Sequence, residues 1–96
     1  MTERAPIVHD LKCWPEFFAA VRDGHKPFEV RKKDRDFGVG DTLRLWEYDP
    51  VLNIHTGKYI HRRVTYMLEG GFGIKRAFVV MGLADCPPQA QREEKA

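Results

Sequence analysis

Lys26, Glu29 and Arg31 stand three and two positions apart in the run Gly24-His25-Lys26-Pro27-Phe28-Glu29-Val30-Arg31. A carboxylate between an ammonium and a guanidinium offers two kinds of chemistry. The cations can hold an anion, arginine as a planar fork for phosphate or a guanine edge and lysine as a point charge. A lysine–carboxylate pair can also exchange protons with a bound group if burial brings the pKa values toward neutrality. Arg31 can equally pair inside the chain, with Glu29 or Asp36, and only hold a turn together. Phosphates would repel Glu29, so that side chain suits a base edge, a sugar hydroxyl or a neighbouring cation.

Further cations follow at once. Lys32, Lys33 and Arg35 are interleaved with Asp34 and Asp36, the composition of either a solvated turn or a phosphate-tracking rim. His61, Arg62 and Arg63 form a second basic group, and Lys75 and Arg76 a third. Trp46, Tyr48, Tyr66 and Phe72 are the candidate stacking faces for unpaired bases, each worth about 1–3 kcal/mol. Phe72 stands out because it lies between glycines, where an aromatic gains little from packing. Trp14, Phe17, Phe18, Phe28 and Phe78 are assigned to the core.

The elements that must position these groups are one helix and several strands. Ile7 to Leu11 reads as a short first strand. Trp14 to Gly24 reads as a helix: Pro15 suits the first turn, Glu16 the positive end of the dipole, and Gly24 a left-handed stop. Phe17, Phe18 and Val21 form its apolar stripe. Phe28 to Arg31 alternates, with Glu29 and Arg31 on one face and Phe28 and Val30 on the packed one. Phe37 to Asp41 is a glycine-rich turn, Thr42 to Tyr48 a strand, and Asp49 to Gly57 a long connection. Tyr59 to Leu68 alternates with Val64, Tyr66 and Leu68 on one face; Gly70 to Gly73 is a loop. Ala77 to Leu83 is a continuous apolar run suited to a doubly buried strand. One helix among five or six short strands predicts an α+β, mostly β fold, a small barrel plugged at one end. The expected organisation is an arm over 1–6, a domain over 7–85 and a disordered tail over 86–96.

The 96 residues carry a net charge of only +2 and are 43% hydrophobic, which bounds the chain to one domain with one modest core. That charge excludes a global basic field, so nucleic-acid binding would rest on local clusters. Cys13 and Cys86 show no zinc-type spacing, and no metal or cofactor is expected. No secretory leader is visible and no apolar run reaches the ~20 residues of a membrane span. A cytoplasmic, monomeric protein without membrane contact is the expectation.

Gly24-x-Lys26-x-x-Glu29-x-Arg31 resembles the Gly-x-Lys-x-x-Glu-x-Arg signature of ASCH domains, members of the PUA-like fold of RNA-interacting β-barrels. The resemblance extends to the preceding helix and to the turn Val39-Gly40-Asp41. His9-Asp10-Leu11-Lys12, the run Phe28 to Asp41 and Gly70-Gly71-Phe72-Gly73 together look like a small ASCH-related family of phages and prophages, over about residues 7–84. The resemblance implies a pseudo-barrel whose cleft holds RNA or a nucleotide-like ligand through Lys26, Glu29 and Arg31. Lys32, Lys33, Arg35, Tyr48, Arg63, Tyr66 and Phe72 are the expected outer contacts. Two other functions compete. Some ASCH proteins are amidohydrolases on acetylated cytidine and others are described as nucleases, for which Lys26, Glu29 and Glu69 are the candidate catalytic groups. Those amidohydrolases carry threonines where this chain has Pro27 and Glu29, so the hydroxyl is missing. The third reading is a phage accessory protein that binds a host protein, which mixed-sign charge runs also suit.

Overall fold

The computed structural model describes residues 4–86. The first three residues of the expected arm and positions 87–96 of the expected tail lie outside the described residues. The elements run β1 (Val8–Cys13), α1 (Pro15–Arg22), β2 (Phe28–Lys32), β3 (Thr42–Asp49), β4 (Ile54–Gly71) and β5 (Ile74–Asp85). They form one five-stranded sheet in the order β1-β3-β4-β5-β2, mostly antiparallel, with β1 parallel to β3.

The described residues form the expected mostly-β fold with one helix, but the barrel is not closed. Among the described residues, edge strands β1 and β2 make no backbone ladder with each other. Side chains bridge that seam instead. Arg31 Nη2 donates to the Lys12 carbonyl at 2.7 Å, and Arg35 Nη1 to the Asp10 carbonyl at 3.4 Å. A ladder there would need the two backbones about 4.8 Å apart, which leaves no room for the charged side chains between them.

Helix α1 covers the inner face. Phe18 and Val21 pack with Leu11, Phe37, Leu43, Leu45, Val64, Val79 and Met81, and Met67, Ile60 and Leu83 close the margin. Fully enclosing Leu43 or Leu45 is worth about 1.5–3 kcal/mol each. The assignment of Trp14, Phe17 and Phe28 to this core is corrected: all three are exposed, and Phe78 is only half-buried. Phe17 and Phe18 are neighbours on a short helix, so only one can face the sheet.

Two strand readings also change. The alternation expected along β4 breaks at a bulge between Val64 and Tyr66, so Val64 is buried while Tyr66 is 67% exposed. The connection after β3 is shorter than expected, because β4 already starts at Ile54. Likewise β4 runs on to Gly71, and Phe72-Gly73 is a two-residue hairpin turn with both φ positive, 52° and 83°.

Asp41 fastens β1 to the start of β3. Its fully buried carboxylate accepts from Arg4 Nη1 and Nη2, the Ile7 and Gly38 amides and His9 Nε2, at 2.7–3.0 Å. Burial alone would raise its pKa, but the Arg4, His9 and amide donors outweigh burial and hold it well below the ordinary value. Arg4, within the expected 1–6 arm, therefore has a fixed partner.

Candidate functional site

Two backbone hydrogen bonds bring the signature residues under the helix. The Lys26 amide donates to Ala20 O at 3.0 Å, folding the chain back after Gly24, whose φ of 84° a side chain would strain. The Leu83 amide then donates to Pro27 O at 3.0 Å, which starts β2 against β5. Register places Glu29 opposite Met81, which is fully buried, so Glu29 faces inward. The strand thus turns its charged face to the interior and its apolar face, Phe28 and Val30, to the outside. That inverts the packing expected from alternation, although the pairing of Glu29 with Arg31 on one face holds.

Glu29 is 4% exposed and both of its oxygens are engaged. Lys26 Nζ donates to Oε1 at 3.0 Å and Arg31 Nε to Oε2 at 2.6 Å. Arg31 spans from there to the Lys12 carbonyl, and Lys26 lies 5.4 Å from the Phe17 ring centroid and 5.3 Å from that of Phe28. The intramolecular pairing of Arg31 with Glu29 is therefore realised, in the form of a buried carboxylate clamped by two partly exposed cations.

These groups floor an open cleft of about 420 Å³ lined also by Lys12, Cys13, Trp14, Phe17, Val30 and Lys32. Lys12, Lys26, Arg31 and Lys32 against Glu29 leave four cations to one carboxylate. One wall is the exposed pair Trp14 and Phe17, stacked at 6.1 Å between centroids. Burial, then the charge of Glu29, pushes the Cys13 thiol up to about 11. An anionic, partly planar ligand fits this combination of surplus positive charge and flat apolar surface.

The remaining candidates are dispersed. Lys32 lines the cleft, while Lys33 pairs with Glu69 at 2.9 Å in a separate hollow beside Gly70 and Gly71. Glu69 thus partners Lys33 and not Lys26. Arg35 lies against Asp34 and the Phe37 ring. Tyr48 is on the outer face, its hydroxyl bonded to Asn53 Oδ1 and its ring 4.5 Å from Lys12 Nζ. Arg63 and Tyr66 are on the outer face of β4, and Phe72 is at the hairpin tip, 92% exposed. Sequence reasoning missed Lys12, Trp14 and Phe17 as cleft residues. The signal was available for Trp14, which precedes Pro15 and so lies outside the helical stripe. Among the described residues no group of three His, Cys, Asp or Glu could hold a metal ion, and no helix is long and apolar enough to cross a membrane.

Comparison with known proteins adds two findings. The model of a family described as a domain of unknown function, DUF3850, matches residues 8–83, the whole of the sheet and helix except its last strand residues. A 12.9 kDa uncharacterised protein of the GpA 3′ region of Escherichia phage P2 is 40% identical over 58 residues, 60% of this chain. The matched stretch spans about half, 51%, of that relative's length.

Proposed function

The chain belongs to the DUF3850 family, and on that premise we propose that it is an ASCH-type, PUA-like module that binds RNA or a nucleotide through the Lys26, Glu29 and Arg31 cleft. One observation carries the reading: a buried carboxylate holds two cations in place at the floor of a cleft with a surplus of positive charge and an exposed aromatic wall. Glu29 acts as a positioning residue. It fixes the Arg31 fork and the Lys26 ammonium, so less side-chain entropy is lost when an anion arrives. Trp14 and Phe17 supply the face on which a base stacks, and Lys12 and Lys32 attract phosphate at the rim. A hydrolase acting on a nucleoside or RNA is the second reading, favoured by the proximity of Lys26 and Glu29 in a shielded site. The phage P2 relative agrees with a phage setting for either.

The test is fluorescence anisotropy with short single-stranded RNA and DNA across a salt series. The variants are Lys26→Ala/Arg31→Ala and the milder Trp14→Ala, which leaves the buried Glu29 clamp intact. Phosphate-driven binding weakens log-linearly with salt, and each variant lowers affinity. Mass spectrometry of the oligonucleotide afterwards separates binding from hydrolysis: an altered strand promotes the enzyme. Salt-independent binding, or none to either polymer or to mononucleotides, overturns the reading.

A further inference from the structure

The inverted alternation of β2 leaves an apolar surface that the fold itself does not explain. Strand register identifies its members. Val30 on β2, Val80 on β5 and Leu68 on β4 form one row across the outer face, and Phe28, Gly82 and Tyr66 form the next. Phe78 extends the patch beside Lys32. Helix α1 packs on the opposite face, with Phe18 and Val21 in the core. Phe28 is 41%, Val30 47% and Tyr66 67% exposed, and Leu68, Phe78 and Val80 are half-buried. An open sheet face in water normally alternates to polar residues. Here Glu29 and Arg31 must point inward to build the cleft, but nothing in that requirement makes residues 28 and 30 apolar.

Size and charge define what fits. Three strands about 4.8 Å apart and three rows about 6.8 Å apart give a footprint of roughly 200–300 Å². A stable dimer needs about 800 Å² from each partner, so a second copy of this chain would be under-supplied. One face of a short helix, about 10 Å across, matches the width. At the outward register positions flanking the rows stand Lys32 at one end and Arg63 at the other, with no carboxylate among these described positions. Lys26 adds a cation 5.3 Å from the Phe28 ring. The flanks therefore favour a negatively charged partner.

We infer that the outer face of β2, β5 and β4 is a docking surface for a short acidic amphipathic helix of another protein, adjoining the cleft along β2, where Val30 and Lys32 also line the cleft. The apolar stripe of that helix lies on Val30, Val80, Leu68 and Tyr66, and its acidic flanks meet Lys32 and Arg63.

The test uses the full chain and two labelled 14-residue peptides with the same apolar stripe, one with glutamates and one with lysines on the polar face. Affinity is measured by fluorescence anisotropy for the native chain, Tyr66→Glu/Val80→Glu and Lys32→Glu/Arg63→Glu, with thermal melts to verify folding. These four side chains are exposed or partly exposed, so the variants retain the core. The acidic peptide is expected to bind at least about tenfold tighter than the basic one, and each double variant to lose at least about tenfold. Equal affinity for the two peptides, or no binding of either, overturns the inference. So does a concentration-dependent dimer that Tyr66→Glu/Val80→Glu abolishes, which would assign the face to a second copy. Loss of RNA binding in that same variant would overturn it too, by assigning the face to nucleic acid; loss of RNA binding only in the cleft variants leaves it standing.

Discussion

Replacing Asp41 by asparagine removes one charge and one acceptor without changing the side-chain volume. In the native chain Oδ1 accepts from Arg4 and the Ile7 amide, and Oδ2 accepts from Arg4, His9 Nε2 and the Gly38 amide. An asparagine presents an oxygen on one side only. Its amide group faces donors on the other, so at least one backbone N–H loses its partner. An orphaned buried donor costs about 1–3 kcal/mol, and each remaining bond weakens by about 1 kcal/mol without charge assistance. With the contribution of the solvent-facing Arg4 left out, Asp41→Asn should lose about 3–5 kcal/mol, a large part of the ~5–15 kcal/mol typical of a domain. Guanidinium unfolding at pH 7, followed by tryptophan fluorescence, measures it. The pH dependence gives a second check. The Asp41 pKa is depressed in the folded state, so its stabilisation is present above the unfolded value of about 3.9 and is lost as pH falls below it. The native chain should therefore weaken between pH 5 and 3 by more than the variant does. A loss under about 1 kcal/mol at pH 7, or identical acid profiles, would refute the view that this carboxylate fastens β1 to β3.

Three further outcomes follow from local geometry. Phe72 occupies a left-handed position that strains a bulky side chain, so Phe72→Asn should raise stability by about 1 kcal/mol in thermal melts. If the same variant also loses oligonucleotide affinity, Phe72 contacts the ligand. The buried Cys13 thiol, raised to about 11, should react with iodoacetamide at pH 8 roughly a hundredfold more slowly in the folded than in the guanidinium-unfolded chain, from ionisation alone. Mass spectrometry of the labelled peptide reads that rate, and equal rates would refute the burial. His61 has its pKa lowered by burial and then by the charge of Arg44. The folded state thus prefers neutral imidazole, and its contribution, present above the unfolded pKa of about 6.5, should fall away as pH drops toward 5. His61→Gln should flatten that slope, and NMR titration of the ring checks the direction.

Much of the architecture was legible because it is written in local chemistry. Pro15 and Gly24 bracket the helix, within two residues of its observed ends. Asp41 after Val39-Gly40 opens β3 as read. Lys26, Glu29 and Arg31 meet as their spacing allows. What failed depended on long-range partners. The bulge at Thr65 changes which face Tyr66 takes, and no residue near it announces the shift. Trp14 and Phe17 look like core residues in any composition count, yet they form a cleft wall because β1 and β2 do not pair above them.

The sequence by itself determined the element types, the helix after Trp14 and the grouping of the signature side chains, because these follow from backbone preferences and spacings within a few residues. Only the tertiary structure decided which face of β2 turns inward, since alternation defines two faces without saying which is buried. That choice was made by the partner strand: Met81 and Val79 of β5 point into the core, and register carries Glu29 and Arg31 in beside them. One packing decision, taken across strands about fifty residues apart, both buried the carboxylate under the cleft and left Phe28 and Val30 facing water.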